Sequence, residues 1–470
     1  MIHFEICLSK YVWSPNEVNE PIPACSSDCE PKTKMAPPKQ MLSISDKLRK
    51  ALPMSVFLTK IRDSPPTHKD PRSVYMADLL HPKLGDLKKS LQINFMVEWD
   101  WLKMNYEVTK NDAKPLLIIH GEENIDLSRE RLPENVRAVR VKPRYPFGTH
   151  HSKVMLLQYS DDSVRIVVST ANLVASDWEN RTQGLWVSPK CPKMTGDDSG
   201  GDSETGFKAS FLRYLNFYEL SPLRPYIEAV KACDLSAINA FFVSSVPNSH
   251  RGSRDVDLWG HRAVAAILRK HAAAPEEKWP LVMQCSSIGS LGATEDVWFR
   301  GELAKSLAAQ RGSSKIPPVK LVYPSKSDVL GSHDGIAGGG CLPYARRTHE
   351  KQKWLEKYLH HWRALGTDRN KAMPHIKSYT RVSPDCTKAS YLLLTSANLS
   401  KAAWGSMNKA GDSLYIMSYE AGVLLLPKFV KGGEELFDVS ELNLPYDLPL
   451  TPYGSTAEGP WFMDYLRDTL

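Results

Sequence analysis

The chain has 470 residues, 42% of them hydrophobic and 24% charged, which is ordinary globular composition and enough for two or three domains. No apolar run approaches a membrane span, and the first thirty residues, with Glu5, Asn16, Glu17 and three prolines, lack the cationic start and apolar centre of a secretory signal, so an intracellular, soluble protein is expected. A formal charge of +7 biases the protein toward polyanions without naming one, and the eight cysteines, scattered except for Cys25 and Cys29, suit reduced thiols rather than a disulfide framework.

Residues 1–53 are rich in Pro, Ser, Lys and Asn, show little apolar periodicity before Leu48, and are expected to form a disordered tail. Within it, Cys7, Cys25 and Cys29 with His3 match no standard zinc spacing and read as solvated thiols. From Val56 onward short apolar runs alternate with amphipathic stretches: Leu116 to Ile119, Val154 to Leu157, Val164 to Val168, and Phe207 to Phe217. That alternation predicts layered α/β structure. The Gly/Ser/Asp-rich segment Lys190 to Gly206 reads as a mobile surface loop. A domain boundary is expected near Ile238, before Phe241-Phe242-Val243, dividing the folded part into residues 54–238 and 239–470. In the second part Ser325 to Gly340 reads as another mobile loop, and Trp354 to Leu365 carries aromatics at helical spacing, predicting packing rather than ligand binding.

His-x-Lys is a weak signal, because fourteen histidines yield on the order of one such hit by chance. Four occur, at His81, His151, His349 and His375. The His81 copy has a central proline and no following strand that ends in Asn, and the His349 copy opens the helical stretch just described, where residues two apart diverge. Both read as coincidences. The other two copies share far more. His151-Ser152-Lys153 leads through two apolar runs to Ser169-Thr170-Ala171-Asn172-Leu173 and Trp178, while His375-Ile376-Lys377 leads to Thr395-Ser396-Ala397-Asn398-Leu399 and Trp404. From His to Asn is 21 residues in one copy and 23 in the other, and Asn to Trp is six in both, which identifies an internal repeat.

On a strand, residues two apart share a face, so each His is expected to project with its Lys, and His151 rather than His150 pairs with Lys153. Phosphoryl transfer needs an in-line nucleophile, a proton donor to the leaving oxygen and positive charge around the non-bridging oxygens. Two histidines, two lysines and two asparagines can supply all three, and no Asp/Glu/His cluster in the sequence suggests a metal cage. A phosphodiesterase without metal or other cofactor is therefore expected.

Alongside this reading, the chain resembles the tyrosyl-DNA phosphodiesterase family of the phospholipase D superfamily. The resemblance rests on Phe147-Gly148-Thr149-His150-His151-Ser152-Lys153, Asp177-Trp178, Thr182-Gln183-Gly184, Ser286 through Gly292, Pro374-His375-Ile376-Lys377, Thr395 through Gly405 and Ser418-Tyr419-Glu420. It extends from about residue 54 to about 462. The Asp that the wider superfamily places five residues after each Lys is Gln158 and Val382 here, as in the tyrosyl-DNA enzymes, which counts against a lipid phospholipase or a nonspecific nuclease. A nucleic-acid-binding scaffold with a dead site would show a damaged copy of the motif, yet both copies keep every expected polar residue.

The resemblance implies an α/β fold of two similar α-β-α sandwich domains related by pseudo-two-fold symmetry. It implies hydrolysis of 3′-phosphotyrosyl bonds, and of other blocked 3′ ends, left on DNA by stalled topoisomerase I. In that scheme His151 is the nucleophile of a covalent phosphohistidine, and His375 is first general acid and then base. Lys153, Lys377, Asn172 and Asn398 hold the phosphate, and Gln183 and Glu420 back the histidines. Ser287, Ser290, Ser400 and Lys401 grip the DNA backbone, Phe147 stacks on a base, and Phe95 stands where the family often has Tyr. A carboxylate at Glu420 against an amide at Gln183 is expected to make the two histidines unequal. The expected partner is single- or double-stranded DNA with a 3′-linked tyrosyl peptide, the expected state a monomer without membrane association, and the expected location the nucleus.

Overall fold

The computed structural model of the chain describes residues 42–122, 127, 130–196, 200–313, 315–454 and 458–468. Most of the expected tail, with Cys7, Cys25 and Cys29, lies outside the described residues. The five described cysteines are free thiols.

Two mixed sheets organise residues 42–470, which form one compact unit. The first runs in the order Ser73–Val74, Val56–Thr59, Gly184–Val187, Val164–Ser169, Val154–Tyr159, Leu87–Ile93, Leu116–His120, Val136–Arg140. The second runs Phe241–Ser245, Glu420–Leu425, Lys388–Thr395, Ser378–Val382, Leu281–Gln284, Val319–Val322, Leu359–His360, with Phe437–Asp438 beside Lys388–Thr395. Leaving out Ser73–Val74 and Phe437–Asp438, the two paths have the same sequence of directions. Four antiparallel pairings are followed by two parallel ones. The internal repeat of the sequence is thus a repeat of whole sheets, and the hairpin that carries each His-x-Lys/Asn set occupies the same place in both.

Apart from the half-exposed edge strand Val136–Arg140, the strands are buried nearly end to end because layers cover both faces, which is why they read as continuous apolar runs rather than alternating ones. One hydrophobic core runs through both halves: the helix Phe207–Asn216 packs Phe207, Phe211 and Tyr214 around Phe242 of the second sheet. A second cluster, including Phe57, Leu102, Tyr106 and Trp178, covers the other face of the first sheet. Gly184 lets the halves meet closely, since a Cβ there would lie 2.5 Å from Ile376 and 2.7 Å from Leu394.

Several expectations are corrected. The tail does not extend to residue 53: Ser43 caps a helix Ile44–Ala51, whose Ile44 and Ala51 are buried and whose Lys47 ammonium donates to the Ser73 carbonyl. Three apolar positions spaced four and three apart, Ile44, Leu48 and Ala51, make that face. The segment Ser325 to Gly340 is not a mobile loop. It holds the helix Lys326–Leu330, closed by a Ser325/Asp328 capping box, and a 3-10 stretch Gly335–Cys341 whose Gly339 lies against Trp461. Lys190 to Gly206 is likewise anchored within its described part, where Cys191 pairs with Val164 and Ser203 and Thr205 are buried. Trp354 to Leu365 is a 3-10 stretch Glu350–Tyr358 followed by the strand Leu359–His360 rather than one helix; Trp362 is buried and Leu365 exposed.

Candidate active site

Both His-x-Lys triplets lie just before a strand rather than inside it, ahead of Val154–Tyr159 and Ser378–Val382. The expected geometry survives because the backbone of each triplet is tied to the opposite half. His151 N donates to the Tyr419 carbonyl at 3.0 Å, and His375 N donates to the Thr182 carbonyl at 3.0 Å. The residue after each acceptor is Glu420 or Gln183. These bonds therefore bring each imidazole to a polar side chain of the other half: His151 Nδ1 lies 2.9 Å from Glu420 Oε2, and His375 Nδ1 lies 3.0 Å from Gln183 Nε2. Which partner faces which histidine, open in the sequence, is settled as a reciprocal exchange. Gly148 permits the approach on the first side, where a Cβ would stand 2.3 Å from the Met417 carbonyl.

Behind the partners the repeat continues. Ser396 Oγ donates to Glu420, and Thr170 Oγ1 donates to Gln183 Oε1 at 2.8 Å; both hydroxyls stand two residues before the repeated Asn. Sequence reasoning missed them, although the repeat spacing held the signal. It also missed Asp177, whose Oδ2 lies 3.1 Å from His375 Nδ1 and accepts the Asn172 N–H at 2.6 Å. No repeat signal marks it, since the corresponding position of the second copy is Ala403. The expectation that one histidine faces a carboxylate and the other only an amide is thereby corrected, because each has a carboxylate at Nδ1.

Lys153 and Lys377 are buried, and each ammonium folds back onto the carbonyl of its own histidine. Burial is the main reason both are depressed: Lys153 falls to about 7, helped by the Lys377 charge, and Lys377 to about 8, against the opposing pull of Asp177. Burial likewise lowers His151 against the pull of Glu420, and takes His375 down to about 4 against the pull of Asp177. Burial works to raise both carboxyls, but their histidine partners and nearby lysine charges outweigh it; Glu420 is held below the ordinary value and Asp177 at about 2. The result is two ionised carboxylates beside histidines and lysines that burial makes ready to give up protons, an arrangement in which an anion placed between the histidines would favour their charged forms.

Asn398 Oδ1 accepts from Ser286 N, Ser287 N and Ser286 Oγ, so its amide NH₂ is left to donate. Asn172 Oδ1 is buried without a partner among the described residues. Phe95 stacks obliquely on His151 at 5.7 Å and lies under the Lys153 ammonium, giving His151 an apolar wall. His150 is structural, as expected from the face argument: its ring bonds the Asn94 carbonyl and the Tyr218 hydroxyl, and burial lowers it to about 3. His349, bonded to Tyr344 and Glu356, and His81, which caps Pro82–Leu84, are the coincidences the sequence predicts.

Four of the expected DNA-contact residues, Ser287, Ser290, Ser400 and Lys401, are brought together by backbone pairing. Ile288 bridges to Leu399, and Gly289 N donates to the Leu399 carbonyl, so the 287–290 loop runs beside Ser400 and Lys401. Ser400 Oγ accepts the Ala403 N–H as a helix cap, which leaves its own proton for an acceptor outside, and Ser290 is exposed. Phe147 is 92% exposed at a positive φ, four residues before His151. Among the described residues no group of three or more His, Cys, Asp or Glu is placed to hold a metal ion, and none of the helices is long and apolar enough to cross a membrane.

A sequence model of the family described as Tyrosyl-DNA phosphodiesterase matches residues 55–454. The chain is 46% identical over 441 residues to Tyrosyl-DNA phosphodiesterase 1 of Drosophila melanogaster, covering 90% of this chain and 76% of that one. It is 33% identical over 442 residues to the Probable tyrosyl-DNA phosphodiesterase of Caenorhabditis elegans, covering 91% and 93%. Its fold matches the crystal structure of the yeast tyrosyl-DNA phosphodiesterase with a TM-score of 0.67 at 19% identity, over 87% of this chain and 99% of that one.

Proposed function

The chain belongs to the tyrosyl-DNA phosphodiesterase family and is a phosphodiester hydrolase; from that premise we propose that it removes tyrosyl peptides and other blocking groups from DNA 3′ ends left by stalled topoisomerase I. The observation that carries this reading is the reciprocal exchange at the site, in which each half supplies a His-Lys-Asn set and backs the other half's histidine. Two imidazoles held from opposite halves can flank one phosphorus, one attacking and one protonating, which an in-line displacement requires.

His151 Nε2 attacks phosphorus while its Nδ1–H donates to Glu420, whose ionised carboxylate offsets the positive charge that the ring acquires. His375 Nε2 gives its proton to the tyrosyl oxygen as the P–O bond breaks. A water then attacks the phosphohistidine, its proton passes to His375 Nε2, and the N–P bond breaks to release a 3′-phosphate. Lys153 and Lys377 with the amides of Asn172 and Asn398 stabilise the equatorial oxygens, so the charge compensation often supplied by metal ions comes from side chains. Ser287, Ser290, Ser400 and Lys401 hold the DNA backbone without reading bases, and Phe147 stacks on one of them. The enzyme acts as a monomer in the nucleus, and its two sheets are related by a pseudo-two-fold axis through the site.

The test is cleavage of a labelled single-stranded oligonucleotide bearing a 3′-phosphotyrosine, with the purified protein in excess EDTA. A 3′-phosphate product supports substrate class and metal independence together. Cleavage only after magnesium is added contradicts the metal-independent mechanism, and no cleavage under either condition contradicts the substrate.

A further inference from the structure

His375 must keep a proton on Nδ1 through both steps. As an acid it carries Nδ1–H and Nε2–H, and as a base it needs Nδ1–H with a free lone pair on Nε2. Gln183 does not secure this state. With Thr170 donating to its Oε1, the amide turns Nε2, a donor, toward Nδ1. A neutral ring held that way carries its proton on Nε2 and cannot accept one from water. The atom near Nδ1 that can only accept is Asp177 Oδ2, at 3.1 Å, in a side chain that is 6% exposed, and the same oxygen accepts the Asn172 N–H at 2.6 Å.

We propose that Asp177 is the positioning residue that holds His375 in the Nδ1–H form through both half-reactions, so that Nε2 alone exchanges the proton with the tyrosyl oxygen and then with water. The proposal rests on the reading of His375 as the general acid and base. It explains a break in the repeat: Asp177 stands five residues after Asn172 and just before Trp178, where the second copy has Ala403. The second copy needs no such residue, because Glu420 already gives His151 a carboxylate, whereas Gln183 gives His375 none. The other charged or titratable groups around the pair are Lys377 and Lys153, which oppose a cationic His375, and Arg181 and Cys341 beside Asp177. A cationic ring among two lysines needs its own counter-charge, and Asp177 supplies it.

The experiment compares wild type, Asp177→Asn, Asp177→Glu and His375→Ala, as full chains, on one oligonucleotide carrying either a 3′-phosphotyrosine or a 3′-(4-nitrophenyl) phosphate. First-turnover release is followed from pH 5 to 9. Nitrophenolate is a far weaker base than tyrosinate and leaves without a proton. Asn at 177 removes the charge and keeps one amide oxygen, which the Asn172 N–H and His375 Nδ1–H must share, so the backbone contact is spared while the counter-charge to His375 is lost. Asp177→Asn is expected to slow tyrosine release by on the order of 10²-fold, the lower range for a lost proton transfer, and nitrophenolate release by less than about threefold. The slowing of tyrosine release should hold across the whole range, because His375 is already held at about 4 and its acid form is scarce at every pH tested. Asp177→Glu is expected to recover part of the tyrosine release. Equal slowing on both substrates in Asp177→Asn and Asp177→Glu alike would reduce Asp177 to a structural role and overturn the proposal, as would no slowing on either. If His375→Ala also slows both substrates equally, the acid role of His375 falls and takes the proposal with it; discrimination by His375→Ala without discrimination by Asp177→Asn overturns the Asp177 role alone.

Discussion

Lys153 carries the clearest pH consequence at the scale of single residues. Its ordinary value of 10.5 falls to about 7, and that of Lys377 to about 8, chiefly because both are buried. Below pH 7 both ammoniums are charged, the state in which they are expected to receive the phosphodiester; as pH rises through 7 to 8 the empty site loses that charge. kcat/KM on phosphotyrosyl DNA is therefore expected to fall across that interval, measured as a pH profile at subsaturating substrate, and a flat profile to pH 9 would contradict it. Stability moves the other way. The unfolded chain keeps the Lys153 proton to about its ordinary value while the folded chain releases it above about 7, so the folded state binds fewer protons in between and gains stability as pH rises. Lys153→Met is accordingly expected to raise Tm near pH 6 while abolishing activity, the pattern of a buried charge retained for function. An unchanged or lowered Tm would show that the surrounding anions already compensate it.

Among the elements, the helix Ile44–Ala51 tests how far the fold extends toward the N-terminus. Ile44 is 4% exposed and packs with Phe57 and Leu84 in the cluster beneath the first sheet. Ile44→Ala is expected to cost about 2–3 kcal/mol, read as a lower urea midpoint, whereas a residue in a solvated tail would cost nothing. The short helix Lys401–Trp404 makes a second case. Ser400→Ala removes the hydroxyl that accepts the Ala403 N–H, costing about 1 kcal/mol, and removes the proposed donor to DNA; KM is expected to rise with little change in kcat, and a pure kcat loss would contradict a DNA-contact role. The same elements show what could be read from sequence. Sheet strands and the His-x-Lys/Asn hairpins were legible because continuous apolar runs and a repeated polar pattern are local signals. The helix at Ile44 was not, because two turns with three apolar positions look like tail. Trp354 to Leu365 had helical spacing but ends in a strand pairing, Leu359–His360 with Val319–Val322, that only the neighbouring sheet supplies.

For the whole molecule, the site exists only where the halves meet. His151 and Glu420 are 269 residues apart and His375 and Gln183 are 192 apart, separations at which no local spacing carries a contact; the residues were readable, their exchange was not. The core is shared in the same way, with Phe242 seated among Phe207, Phe211 and Tyr214. Residues 42–238 or 239–470 produced alone are expected to be insoluble or molten and inactive, checked by chromatography and near-ultraviolet dichroism; a cooperative melt from either half would contradict the shared core. In the proposed mechanism two histidines from opposite halves act in turn on one phosphorus, with His151 forming the covalent bond. Its most direct test is to incubate His375→Ala and His151→Ala with 3′-phosphotyrosyl oligonucleotide, denature, and locate any protein–DNA adduct by peptide mass spectrometry. An adduct is expected in His375→Ala, mapped to His151, and none in His151→Ala. An adduct in His151→Ala, or one mapped to His375 or elsewhere, would contradict it.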